Sequence, residues 1–156
     1  MNMTYVDADG SLKNPIMGCY GIGVGRLIAS VCEVRHDDYG PIWPISIAPW
    51  QVQVCSLRAD QPEVVEQSKL LCAELERRGI EVIWDDRPVS AGVMFSDADL
   101  LGVPVRVVVS PKGLKNGTIE ISARDKSMQE RKPCSEAADF IENYVRAQLA
   151  ALGCRL

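Results

Sequence analysis

Histidine is almost missing from this chain: of 156 residues only His36 is one, and none of the six cysteines (Cys19, Cys32, Cys55, Cys72, Cys134, Cys154) stands in a Cys-x-x-Cys pair. Structural zinc draws its ligands from these residue types at short spacings, so no metal site is expected and the cysteines read as reduced thiols, mostly in apolar surroundings. Apolar runs of the ~20 residues that cross a bilayer are also lacking. The first residues, Met1-Asn2-Met3-Thr4-Tyr5, carry neither the basic nor the apolar region of a secretory signal, so a cytoplasmic protein is expected. Internal repeats and low-complexity tracts are missing too. So is an excess of basic charge, since 17 Lys and Arg stand against 21 Asp and Glu for a net charge of −4. Such a body does not adsorb polyanions indiscriminately. A hydrophobic fraction of 47% with 24% charged residues is enough to bury a core, which excludes disorder, and the length fits one domain with an appendage.

What is present is concentrated at residues 18–26, Gly-Cys-Tyr-Gly-Ile-Gly-Val-Gly-Arg. Gly21, Gly23 and Gly25 remove side chains at alternate positions, so a strand here offers one bare face that a base or ribose can approach. Arg26 follows with a planar five-donor fork for phosphate oxygens, at an expected helix start whose free N–H groups favour anions. The dinucleotide fingerprint is not met, because Arg26 stands where that pattern needs Gly or Ala. A plainer reading stays open, in which the glycines permit tight packing and Arg26 is a solvated cap.

Periodicity sets the expected elements. Residues 15–23 read as a strand and Arg26–Val34 as a helix with the apolar stripe Leu27, Val31, Val34. Pro44–Ser56 reads as a strand, and Asp60 with Glu63 has capping-box spacing for a helix that ends at Gly79 and buries Val64, Ser68, Leu71, Cys72 and Leu75. Ile80–Trp84 completes a βαβ unit with parallel pairing. Phe95–Leu101 reads as a short helix and Val103–Val109 as a strand covered on both faces. Asn116-Gly117 turns the chain into Thr118–Ser122, and Ser135 caps a last helix. The expected fold class is α/β, a mixed sheet flanked by helices. The strand and helix before residue 43 have nothing of their own to cover them, so they read as a remnant of a larger sheet and the chain as the tail of a longer protein. Basic charge is local: residues 112–132 hold six cations (Lys112, Lys115, Arg124, Lys126, Arg131, Lys132) against three acids, a net +3, while the remainder is −7. A cationic patch that steers a polyanion to one face and a solvated hairpin both fit this.

The runs Tyr5-Val6-Asp7-Ala8-Asp9-Gly10 and Pro15 through Arg26 resemble the third signature motif of class II aminoacyl-tRNA synthetases in the form used by the bacterial prolyl-tRNA synthetase family. Ile42-Trp43-Pro44-Ile45-Ser46-Ile47-Ala48-Pro49-Trp50 is similar to the entry to that family's anticodon-binding domain. Asp85-Asp86-Arg87 and Gly92 through Pro104 are similar to its middle. The resemblance implies a division into 1–42, the end of a class II catalytic domain, and 43–156, an anticodon-binding domain. It gives Arg26 a catalytic role, holding the ATP γ-phosphate, with Gly21 and Gly23 lining the adenosine site. The full enzyme is then expected to attach proline to proline tRNA through a prolyl-adenylate, using ATP and Mg²⁺, as a homodimer. No acidic cluster for Mg²⁺ accompanies Arg26 and the first two class II motifs are missing, so the chain alone is expected to be catalytically inert. A free-standing RNA-binding accessory module is the alternative, although such a module has no reason to keep Gly21, Gly23 and Arg26 at nucleotide-site spacing.

Proline codons begin with two cytosines, so every proline anticodon carries two guanines. A guanine's N1–H and N2–H donors suit a carboxylate, its O6 and N7 suit Arg or Lys, and an unstacked base seeks an aromatic or guanidinium plane. The residues aligned with the family's anticodon contacts are Phe95 as platform, Asp99 as guanine acceptor, Arg106 and Lys112. Asp86, Arg87, Asp97 and Lys115 are second choices. Some relatives place an acidic residue after the lysine, where this chain has Gly113, so one expected guanine contact is absent or replaced. Phe95 as core, Asp99 as a solvated charge and Arg106 as an ion-pair partner remain open readings.

Overall fold

The computed structural model describes residues 3–154 and divides into two units, one ending at Ser30 and the other beginning at Val31. In the first unit β1 (Tyr5–Val6) and β2 (Leu12–Lys13) pair antiparallel around a turn where Gly10 takes φ 78°. The strand expected over 15–23 is not formed. Ladder hydrogen bonds need a neighbouring strand, none pairs with this segment among the described residues, and Ile16 and Tyr20 stand 101% and 97% exposed. Helix α1 (Val24–Val34) begins two residues ahead of the expected start, so Arg26 is its third residue rather than its first. Its stripe is apolar but open: no residue of α1 is buried, and Leu27 and Val34 are exposed.

The second unit contains a hairpin, β3 (His36–Asp37) and β4 (Gly40–Pro41), which the sequence places before the 42/43 boundary. Then follow β5 (Val52–Ser56), α2 (Pro62–Arg77), β6 (Val82–Asp85), α3 (Ala91–Leu101), β7 (Val105–Val109), α4 (Pro111–Lys115), β8 (Thr118–Ala123), β9 (Gln129–Pro133) and α5 (Ala137–Ala151). The five-strand sheet has the order β6-β5-β7-β8-β9, with β6, β5 and β7 parallel and β8 and β9 antiparallel. The fold is therefore the expected mixed sheet with flanking helices. Alternation sorts its two faces. Val52, Val54, Val105, Val107, Ile119 and Ile121 pack with the buried stripes of α2 and α5, including Val64, Leu71, Leu75, Ile141 and Val145. Cys55 and Val108 face the other way, against Met94 and Ala98 of α3.

Three local expectations fail for physical reasons. Residues 44–51 stay out of β5 because a turn, with Ile47 N–H and Ala48 N–H both donating to the Pro44 carbonyl, delays the strand to Val52. The capping box is not formed: α2 takes Gln61 as N-cap, and the Asp60 carboxylate accepts two 3.0 Å bonds from Arg58, a charge-assisted fork that outcompetes a backbone N–H. Ser135 does not cap α5 either, because Glu136 N–H turns back onto the Pro133 carbonyl at 3.0 Å and becomes the N-cap.

Candidate nucleic-acid interface

Helix α3 carries the reading candidates. Ser90 Oγ caps it by accepting from Val93 N–H, and Gly102 at φ 71° ends it. Phe95 and Asp99, four residues apart, stand on one side of the helix, and Arg106 rises from β7 between them and the sheet. The structure brings these three together: the Arg106 guanidinium lies 5.0 Å from the Phe95 ring centroid, and its Nη1 donates to Asp99 Oδ1 at 3.1 Å. Phe95 is half-buried rather than core, and the side chains of Asp99 and Arg106 are each 27% exposed. Asp99 is thus ion-paired and still reachable by solvent. Among the described residues no donor occupies its Oδ2, which leaves that oxygen for a ligand N–H.

The end of α3 is tied down. Its last carbonyls would be orphans, but Arg124 Nε–H donates to the Asp99 carbonyl at 3.2 Å, Trp43 Nε1–H to Leu101 at 3.0 Å and Trp43 N–H to Gly102 at 3.2 Å. Arg124 is only 4% exposed at its side chain and also grips Asp37 of β3 with two bonds of 2.7 and 2.8 Å. The Arg124 guanidinium holds the Asp37 carboxyl well below the usual carboxylate range, and the same pairing raises Arg124 itself. The sequence places Arg124 in the cationic patch; the fold makes it an internal strut instead. Sequence reasoning misses this role because the partner lies 87 positions away.

The rest of the patch is also largely committed. Arg131 pairs with Glu120 at 2.8 Å, and Lys132 pairs with Glu130 at 3.3 Å and lies 4.6 Å from the Phe140 ring centroid. Lys112 and Lys115, on α4 at the end of β7, are not buried. Of the second-choice residues, Arg87 is locked between Asp85 (2.7 and 2.9 Å) and Asp97 (2.7 Å), which draws Asp85 down in pKa. Asp86 is exposed beside them.

In the first unit Arg26 folds back on Gly23. A Cβ at Gly23 would meet Arg26 Nε at 3.1 Å, while one at Gly21 would meet nothing within 4 Å. The cation therefore stands beside the backbone of Gly23 and not beside that of Gly21. The thiols divide: Cys55 and Cys72 are buried, Cys19 is exposed rather than packed, and the others lie between.

Comparison with known proteins places the chain in a family. A family profile described as "Anticodon binding domain" matches residues 51–144. A proline–tRNA ligase of Dehalococcoides mccartyi (strain CBDB1) is 44% identical over 144 residues, 92% of this chain and 25% of the relative. That of Treponema denticola is 43% identical over 152 residues, 97% of this chain and 25% of the relative. That of Burkholderia multivorans is 44% identical over 151 residues, 96% of this chain and 26% of the relative. The chain thus spans about a quarter of the length of the curated relatives it matches. Among solved structures, the prolyl-tRNA synthetase from Cryptosporidium parvum complexed with L-proline and AMP shares the fold, with a TM-score of 0.68 and 22% identity over 81% of this chain and 28% of that one.

Proposed function

We propose, from the premise that this chain belongs to the anticodon-binding domain family, that its second unit reads the two guanines of a proline tRNA anticodon on behalf of a proline–tRNA ligase. The observation that carries this is the Phe95–Arg106–Asp99 assembly: a half-buried ring, a guanidinium plane over it, and a carboxylate fixed by one bond from that guanidinium to Oδ1, which leaves Oδ2 and a second lone pair of Oδ1 to accept. Unstacked bases recover stacking on such planes, and a carboxylate accepts the two donors of a guanine edge that adenine and the pyrimidines do not present together. Lys112 adds a donor for O6 or N7 or for the phosphate backbone.

The ligase reading extends to the first unit. The side-chain-free backbone at Gly21 and Gly23, with Arg26 against Gly23, suits the adenosine side and the γ-phosphate of ATP. ATP, accompanied by Mg²⁺, would supply the adenylyl group that activates the proline carboxylate, with pyrophosphate as the leaving group. Arg26 would transfer no proton in this scheme; its fixed positive charge would offset the charge that accumulates as pyrophosphate leaves. In this reading the ligase is a cytoplasmic homodimer.

Titration of the chain with a proline tRNA anticodon stem-loop, and with the same RNA carrying adenines at the two guanine positions, tests the reading. Tighter binding of the guanine form is expected, and equal affinities would overturn it.

A further inference from the structure

Two guanines need two edge acceptors, and Asp99 is one. On β8 the buried residues Ile119, Ile121 and Ala123 alternate with Thr118, Glu120 and Ser122, which face the α3 side of the sheet. Ser122 is opposite Arg106 in the register and Glu120 is opposite Val108, two residues further along β7. Glu120 therefore lies on the same face as the Asp99–Arg106 pair, about 7 Å along the strand direction at ~3.3 Å per residue. Across the next pairing it meets Arg131 of β9, whose Nη2 lies 2.8 Å from Glu120 Oε1. The carboxylate is 43% exposed. Lys112, Gly113, Asn116 and Thr118 complete a shallow hollow around this pair. A side chain at Gly113 would run into the Thr118 carbonyl oxygen at 2.7 Å, so a carboxylate for this hollow cannot come from position 113 without moving the backbone.

We propose that Glu120 is the second guanine acceptor, held by Arg131 as Asp99 is held by Arg106, with Lys112 on the O6 side of the same base. The inference rests on the anticodon reading above. The face then presents two carboxylate–guanidinium pairs in series. Their separation exceeds the ~3.4 Å rise of stacked bases, which matches bases splayed out of a loop. An exposed cross-strand pair is worth little to stability, so Glu120 can be changed without unfolding the sheet.

Inosine, which lacks the N2 amino group, serves as the probe. Stem-loops with inosine at one or the other guanine position are titrated against the wild-type chain, Asp99→Asn and Glu120→Gln. The wild type is expected to lose about tenfold in affinity with each inosine. Glu120→Gln should erase the penalty at one position only, and Asp99→Asn the penalty at the other. If Glu120→Gln keeps both inosine penalties while Asp99→Asn erases one, the second acceptor is refuted and the anticodon reading stands. If the wild type shows no penalty at either position, the anticodon reading fails and this inference with it. An equal loss for all three RNAs on Glu120→Gln would mark a structural role and overturn the inference. Should E120Q fail to fold by circular dichroism, Glu120→Asp must reduce the same single penalty.

Discussion

Substituting Gly102 by alanine tests whether the β3–β4 hairpin clamps the reading helix. Gly102 ends α3 at φ 71°, and a Cβ there would drive into the carbonyl oxygen of Pro41 in β4. Two costs add: a left-handed backbone costs a Cβ-bearing residue about 1–2 kcal/mol, and overpacking against backbone that cannot rotate away costs about 1–3 kcal/mol. Gly79 provides the control, because it has φ 81° but a Cβ placed there would meet nothing within 4 Å, so Gly79→Ala carries the first cost alone. Thermal unfolding followed by circular dichroism should then show Tm falling by roughly 2–8 °C for Gly79→Ala and roughly 4–20 °C for Gly102→Ala, at ~2–4 °C per kcal/mol for a chain of this size. Anticodon stem-loop binding should weaken only for Gly102→Ala, since Asp99 and Leu101 share the strained helix end. If the two variants melt together and bind alike, the hairpin does not hold α3 and the clamp argument is wrong.

Arg106→Lys keeps the charge but loses the plane over Phe95, so stem-loop affinity should fall about tenfold with Tm within a few degrees of wild type, as fluorescence titration and calorimetry would show. Acid should destabilise the fold. Asp37 lies below its ordinary range beside Arg124, and Arg77 and Arg78 lower Glu74 to about 2. Carboxyl groups lowered in the folded state add stability above their unfolded values near pH ~4 and lose it as pH falls through the folded ones. Urea midpoints should therefore be insensitive to these groups near neutrality and drop steadily below pH ~4. Burial pushes the thiols of Cys55 and Cys72 up to about 12 and about 11, so a disulfide reagent at neutral pH should modify exposed Cys19 first and reach those two only in denaturant.

The parts of this fold legible in the sequence are those governed by local periodicity. The stripe Val64, Ser68, Leu71, Cys72, Leu75 is buried as its spacing demands, and the apolar run after Gly102 forms the central strand β7. Strand β9 escapes a reading of the sequence because Gln129-Glu130-Arg131-Lys132 is polar on both sides, as suits an edge strand, and carries no apolar alternation. Asp60 misleads for a different reason: a competing guanidinium two residues away is invisible to a pattern that scores only the carboxylate and the helix start. In the candidate site, Phe95, Asp99 and Arg106 are picked out by the resemblance rather than by spacing, which many surface charges share, and that Arg106 touches both others is seen only in the structure. Arg124 and Asp37 are not legible, because their bond depends on how the hairpin before the sheet packs against the end of α3.

The most direct test of the central claim, that the Asp99 carboxylate beside Arg106 and Phe95 selects guanine, is a double-mutant cycle. Affinities of the wild-type chain and of Asp99→Asn are measured for the proline anticodon stem-loop and for its counterpart with inosine at both guanine positions. The account predicts that Asp99→Asn weakens binding of the guanine RNA about tenfold and shrinks the penalty for inosine, giving a coupling energy of roughly 1–3 kcal/mol. Identical losses on both RNAs, with no coupling, would contradict it.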